Sequence, residues 1–207
     1  ALAEDEAGNI YLGLQSTPPG EQFSTRIVLK IDPEGNTLWR TELPNDGNAS
    51  DTPDGIVVMN GTEGIIIVGS GVPQISRLST DGDLLWSDAL SSSYSPSSIV
   101  EDQEGNFTIT GVQVSNGIYR NDIFLLNLDE NGNHKWENIY TRLEFEGGDA
   151  ILPTADAGFL IGGNTVSQDF SSGSILLMKT DAFGNLFTNQ VSGQVFLDLN
   201  NNCQKDP

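Results

Sequence analysis

The chain has almost none of the residues from which most catalytic and metal centres are made. Its 207 residues include one cysteine, Cys203, and one histidine, His134. An intrachain disulfide is excluded, and so are Cys-rich and all-His zinc sites. Cysteine usage therefore names no redox compartment. Basic residues are scarce as well: nine Lys and Arg stand against 29 Asp and Glu, a formal charge of −20. Such a surface repels nucleic acid and anionic membranes. No apolar run approaches the roughly 20 residues of a membrane-spanning helix, so membrane insertion is not expected. No stretch sustains helical spacing between glycines either. The acidity keeps exposed sheet edges from pairing; collecting divalent cations, or life in salt, is the functional alternative.

What the chain does have is repetition. Trp39, Trp86 and Trp136 recur at intervals of 47 and 50 residues, each after a Gly-containing turn, and a fourth copy has Phe187 near the equivalent place with Thr188 in the Trp register. Each copy reads as two hairpins. In the second, a β-prone run (Ile27 to Ile31, Ile75 to Ser79, Ile123 to Leu128, Ile175 to Thr180) meets an Asp or Ser, then Gly35, Gly82, Gly132 or Gly184. Glycine supplies the positive φ of a tight turn, and an Asx beside it bonds the turn backbone. An aromatic four residues later then falls on a fixed face of the returning strand. The first hairpin turns at Gly8, Gly64, Gly105 or Gly158, and a further glycine follows its second strand at Gly13, Gly69, Gly111 or Gly163. Glycine inside a strand pattern predicts close backbone approach or a bulge.

Two hairpins make a four-stranded unit of roughly 50 residues, the size of a propeller blade. One blade cannot bury both faces, so stacking on the next supplies the core. The fold class expected is all-β, a β-propeller of four visible four-stranded blades at about 1–44, 54–90, 97–142 and 148–191. Residues 192–207 begin a second β module or a linker. The repeat opens at its first hairpin and ends with its second, with no interleaved closing strand. More blades before Ala1 are therefore expected, a closed four-unit ring being the alternative.

The Gly-Phe-Leu-Ile-Gly-Gly strand at 158–163, the Leu-Leu-Met-Lys-Thr-Asp strand at 176–181 and the Gly-Asn-x-x-Trp turn at 132–136 resemble the β-propeller repeats of large secreted bacterial surface proteins, related in style to the quinoprotein Trp blade. No residue set matches a quinone or calcium site of the quinoprotein kind. The stretch Gly193 to Asn202 resembles the opening strand of the immunoglobulin-like or prealbumin-like repeats of bacterial adhesins, where a Gly-x-Val-Phe-x-Asp-x-Asn opening leads into a calcium loop. Asp198, Asn200 and Asn202 alternate as the first oxygen ligands of an EF-hand-like loop do, Gln204 could offer a carbonyl and Asp206 falls at the ninth position. Cys203 replaces the turn glycine, and the twelfth-position acid falls beyond Pro207. Calcium is the one cofactor suggested; a solvated Asn-rich linker is the alternative.

Catalytic constellations are sparse. His134 beside the Trp136 turn offers no triad. Five arginines, Arg26, Arg40, Arg77, Arg120 and Arg142, show no convergent spacing, and carboxylates cluster only at Asp51 with Asp54 and at Glu144, Glu146 and Asp149. The leading expectation is a non-enzymatic extracellular or cell-surface module, adhesin-like or a spacer, with neighbouring domains of the same chain as partners. A glycan or protein ligand would bind at the rim formed by the variable segments 15–24, 45–54, 91–97, 115–121 and 167–173. The alternatives are a glycan-active enzyme using acids at the channel mouth, and a purely architectural stalk segment.

Overall fold

The computed structural model describes residues 1–17, 19–20, 24–44, 52–59, 64–114, 121–141, 145–167 and 169–186. Among these there is no helix. Fifteen strands form four antiparallel sheets in chain order. The first contains β1 (Leu2–Glu4), β2 (Ile10–Ser16), β3 (Thr25–Ile31) and β4 (Thr37–Glu42); the second β5 (Pro53–Val58), β6 (Ile65–Gly69), β7 (Ile75–Leu78) and β8 (Leu84–Asp88). The third contains β9 (Tyr94–Glu101), β10 (Phe107–Val114), β11 (Asn121–Leu128) and β12 (His134–Tyr140); the fourth β13 (Phe145–Pro153), β14 (Phe159–Val166) and β15 (Gly173–Thr180). Each sheet is a meander of neighbours, and the first strand of each runs against the first strand of the next. These are propeller blades. The fourth departs from the expected four strands: only an isolated bridge, Thr180 to Leu186, continues it among the described residues. Phe187, Thr188 and the segment 192–207 lie outside them.

The period of two explains how the core is divided. Alternate residues of a blade face backward or forward, and each forward face meets the rear face of the following blade. Tyr11 and Val28 of the first blade pack on Ile56, Ile65, Ile67 and Leu78 of the second. The opposite face of the second, Ile66, Val68 and Ile75, packs on Ile99, Phe107, Ile109, Phe124 and Leu126 of the third. Ile123 and Leu125 then meet Ile151, Phe159, Ile161 and Met178 of the fourth. At about 1.5–3 kcal/mol for each fully buried aliphatic side chain, these three seams outweigh anything one blade could gain alone.

The tryptophans fasten the seams in a way the repeat spacing does not reveal. Each lies across the second-hairpin turn of the next blade, not its own. The Trp39 ring stands 2.7 Å from where a Cβ on Gly82 would be, Trp86 meets Gly132 at 3.1 Å, and Trp136 meets Gly184 at 2.8 Å. The turn glycine thus meets two demands, a positive φ of 88° at Gly82 and a flat seat for a neighbour's indole. Trp39 Nε1 also donates to Thr80 O at 2.7 Å and Thr41 Oγ1 to Gly82 O at 2.6 Å. Tyr140 donates to Gly184 O, and Asn138 Nδ2 to Phe183 O at 2.8 Å.

The strand glycines follow the bulge reading, with one correction. Gly69, Gly111 and Gly163 sit beside register shifts between β5–β6, β9–β10 and β13–β14. An added Cβ would overlap the carbonyl oxygens of Thr52, Ser95 and Gly147, all within the same blade. Gly13 alone of the four meets the next blade as expected, against Pro53 and Ile67; the other close approaches between blades fall on Gly55, against Ser98 and Ile99, and Gly148, against Thr110 and Gly111. In the last first-hairpin turn the left-handed residue is Ala157 (φ 63°), one position before the expected Gly158.

Candidate functional site

The meander gives each blade two unlike ends. One carries the two tight hairpin turns; the other carries the middle loop of each blade and the crossing to the next.

At the turn end the aspartates that open the turns are already used. Asp5, Asp32, Asp102, Asp129 and Asp181 each open an Asp-x-x-Gly-Asn turn. Their carboxylates accept the backbone N–H of the Asn four residues on, at 2.7–2.9 Å, and its side-chain amide. For Asp32 and Asp129 the Asn36 and Asn133 side-chain bonds hold the carboxyl below its ordinary range. At Asp5 and Asp181 burial pushes upward, but the bonds from Asn9 and Asn185 outweigh it and the net shift is down. This end also holds a small cavity of about 60 Å³ between the third and fourth blades, lined by Asp102, Asn106, Asn127, Lys135, Trp136 and Phe183. Lys135 Nζ donates to Asn106 Oδ1 at 2.9 Å, and Asn127 Nδ2 to Thr108 Oγ1 at 2.8 Å. The space suits water, not a ligand. Among the described residues no group of three His, Cys, Asp or Glu side chains is arranged for a metal ion.

The loop end is different. A cavity of about 240 Å³ opens between the third and fourth blades, lined by Val112, Asn121, Phe145, Glu146, Gly147, Asp149, Asn164, Val166 and Phe170. Two of the three acids grouped by sequence spacing, Glu146 and Asp149, line it; Glu144 lies outside the described residues. Glu146 is buried at the start of β13, whereas Asp149 is exposed and accepts from Asn164 Nδ2 at 3.0 Å. Phe145 and Phe170 stack at 4.9 Å with 28° between planes. Phe170 holds a left-handed backbone (φ 55°) and is 72% exposed, a costly conformation for a bulky residue. Its neighbour braces it: the Asp169 carboxylate accepts from the Ser167 and Ser171 hydroxyls, both at 2.7 Å, and from Ser171 N–H at 3.0 Å. Those bonds, Ser167 first, lower Asp169 to about 2.

The remaining candidates do not converge. Asp54 accepts from Thr52 Oγ1 and Ser70 N–H, both at 3.1 Å, and Asp51 is outside the described residues. Arg26 is buried and donates to the carbonyls of Pro44 and Pro73. Arg40 pairs with Glu42 at 2.7 Å, and Arg77 donates to Glu130 O in the next blade at 2.6 Å. Arg120 and Arg142 lie outside the described residues. His134 is exposed at the start of β12, 3.7 Å from Glu137. The calcium candidates Asp198, Asn200, Asn202, Gln204 and Asp206 all lie outside the described residues. Sequence reasoning placed Asn121 and Phe170 within the rim segments 115–121 and 167–173, picked out by their length variation, and missed Asn164 and Phe145.

No family model matches the chain, and no curated protein does. Solved structures do. A Bacteroides caccae protein of unknown function aligns at TM-score 0.50 and 13% identity, over 91% of this chain and 62% of its own. A streptogramin B lyase aligns at 0.54 and 15%, over 87% and 53%. A catalytically inactive virginiamycin B lyase from Staphylococcus aureus, with quinupristin, aligns at 0.52 and 15%, over 86% and 69%. The chain thus spans little more than half the length of the first two. Two of these structures are lyases, which overturns the expectation of a non-enzymatic module. That expectation rested on the scarcity of His, Cys and convergent Arg, which removes particular chemistries but not carboxylate chemistry. At such identities the likeness carries the architecture alone: the four sheets are blades of a β-propeller.

Proposed function

We propose that the cavity between the third and fourth blades binds a hydroxyl-rich, glycan-like ligand and that Glu146 and Asp149 act on it as a carboxyl pair. One observation carries this reading. Two carboxyl groups, the Asn121 and Asn164 carboxamides and a stacked Phe145–Phe170 pair line a single cavity at the loop end. Carboxamides and carboxylates match hydroxyl groups in both donor and acceptor roles, and an exposed aromatic face suits the apolar side of a sugar ring. Glycoside cleavage needs two carboxyl groups, one to give a proton and one to assist attack at the ring carbon. The lyases of similar fold support an enzyme on this scaffold.

The test is a glycan array followed by turnover of a mixed glycoside panel. Glu146→Gln and Asp149→Asn are expected to keep ligand binding and to lose at least about 100-fold in turnover. A wild-type chain that binds no glycan on the array overturns the reading. An extracellular or cell-surface setting beside further domains of the same chain belongs to the same proposal, supported by the adhesin-like 193–202 segment. Calcium at Asp198, Asn200 and Asn202 is part of it, and calorimetry that detects no heat on adding calcium would remove that part.

A further inference from the structure

One place in the repeat changes character in the third blade. The residue two before each second-hairpin turn is Lys30, Arg77, Asn127 and Lys179 in the four copies, and in the first three it stands opposite the blade's tryptophan. Three of the four are cations, and each has its charge answered at the turn end. Lys30 Nζ lies 3.5 Å from the Asp5 carboxylate, Lys179 Nζ lies 2.9 Å from Asp156, and Arg77 donates to the Glu130 carbonyl. The third blade keeps a first-turn acid, Asp102, but offers it a neutral carboxamide instead.

That carboxamide is fully buried, and its orientation is fixed. Asn127 Nδ2 donates to Thr108 Oγ1 at 2.8 Å and to Asp102 Oδ2 at 3.2 Å. Turning the amide over would set its oxygen against a carboxylate, which has nothing to donate. Among the described residues no group donates to Asn127 Oδ1, and a buried acceptor requires a donor. The side chain borders the cavity of about 60 Å³ that Trp136 also lines. Glu104 and Asn106, on the wall of this cavity, also line a second one of about 420 Å³, together with Glu101, Asp129 and Glu130. The paired cavities thus carry five carboxylates and a single ammonium, that of Lys135.

We propose that the paired cavities bind a linear polyamine, one terminal ammonium donating to Asn127 Oδ1 beside Asp102 and the remaining cationic groups lying among Glu101, Glu104, Asp129 and Glu130. The inner space is too small for a whole ligand and takes one water-sized group, which a primary ammonium is. The ligand there supplies the charge that Lys30 and Lys179 supply in their own blades. The Trp136 indole lines the same space, and an ammonium beside an aromatic face gains cation–π attraction. A metal ion is served worse, since it needs several oxygen ligands and among the described residues no three acids are arranged for one. The site lies at the opposite end of the blades from the loop-end cavity and is independent of the function proposed there.

Calorimetry with spermidine on the intact chain tests this, with butylamine as the probe bearing a single ammonium. Saturable one-to-one binding of spermidine is expected, at least about tenfold tighter than that of butylamine. Asn127→Lys supplies the ammonium that other copies carry and should weaken spermidine binding at least about tenfold. Glu104→Gln, at an exposed residue on the wall of both cavities, should weaken it about threefold. Glu34→Gln, the same change at an exposed turn of the first blade, should leave it unaltered. That contrast decides the matter should Asn127→Lys fail to fold. A wild-type chain that takes up no spermidine overturns the proposal. Equal losses from Glu34→Gln and Glu104→Gln overturn it too, as the mark of diffuse attraction to an acidic surface. So does an Asn127→Lys chain that is folded by circular dichroism yet binds spermidine as tightly as the wild type.

Discussion

The two ends of the blades come from one repeat but answer to different constraints. At the turn end every copy solves the same problem, reversing the chain within four residues, and in the second, third and fourth blades the turn also presents a glycine to the preceding blade's tryptophan. The aspartates that open the turns there are spent on backbone N–H groups. At the loop end the segments differ in length from copy to copy and supply Asn121 and Phe170, while the acid pair Glu146 and Asp149 keeps the spacing of Asp51 and Asp54 in the second copy. Similar residues at the two ends therefore have different worth: an aspartate that opens a turn has its carboxylate taken up by its own turn, whereas Asp149 accepts only from the Asn164 side chain and lines the loop-end cavity.

The comparison is broken most severely inside the strands. Gly69→Ala places a Cβ on the Thr52 carbonyl, and a loss of about 3 kcal/mol or more is expected from denaturant midpoints. The turn glycines sharpen it. Gly82→Ala combines a positive φ with the Trp39 ring and should cost about 3 kcal/mol, while Gly35→Ala, at φ 89° in open space, should cost about 1 kcal/mol, the backbone strain alone. Equal losses would show that the indole seat carries no energy. At the loop end, Phe170→Ala should leave the thermal midpoint unchanged and reduce glycan binding at least about tenfold, the reverse of the turn-end pattern.

Protonation provides a smaller, graded test. Asp156, bonded first by Thr154 and then by Lys179, and Asp169, bonded by Ser167 and Ser171, are held at about 2, and the turn aspartates are also lowered. A depressed folded-state value stabilises the fold above the ordinary carboxylate value of 3.8, and that contribution is lost as pH falls toward 2. Thermal midpoints should thus decline between roughly pH 4 and 2, and Asp129→Asn should flatten the decline. The smallest effect expected is a gain: Ala157→Gly relieves a left-handed alanine and should stabilise by about 0.5 kcal/mol.

Much of the fold was legible because turn chemistry is local. A glycine needing positive φ and an Asp bonding four residues on leave their mark within one short window, so copies can be aligned by eye. The Trp39–Gly82 clasp was not legible. Tryptophan and glycine recur in each copy at fixed spacing, and nothing in that spacing tells whether they meet within a copy or between copies. Ala157 was misread for a related reason: glycine was taken as the marker of the left-handed residue, and here an alanine bears it. The cavity was half visible. Glu146 and Asp149 stood out as neighbours in sequence, but Asn121 and Phe170 arrive from another blade and another loop, and only packing brings them together.

The indole clasp gives the array a direction. Each tryptophan belongs to one blade and holds the turn of the blade that follows, so the losses on peeling the array from its two ends are unequal. Removing the fourth blade bares the Trp136 ring and leaves the Gly82 and Gly132 turns braced. Removing the first strips the cover from the Gly82 turn and frees the next blade to fray at once. Amide exchange in the second-hairpin turns should therefore spread from the first blade toward the fourth, a one-way order in an otherwise repetitive molecule.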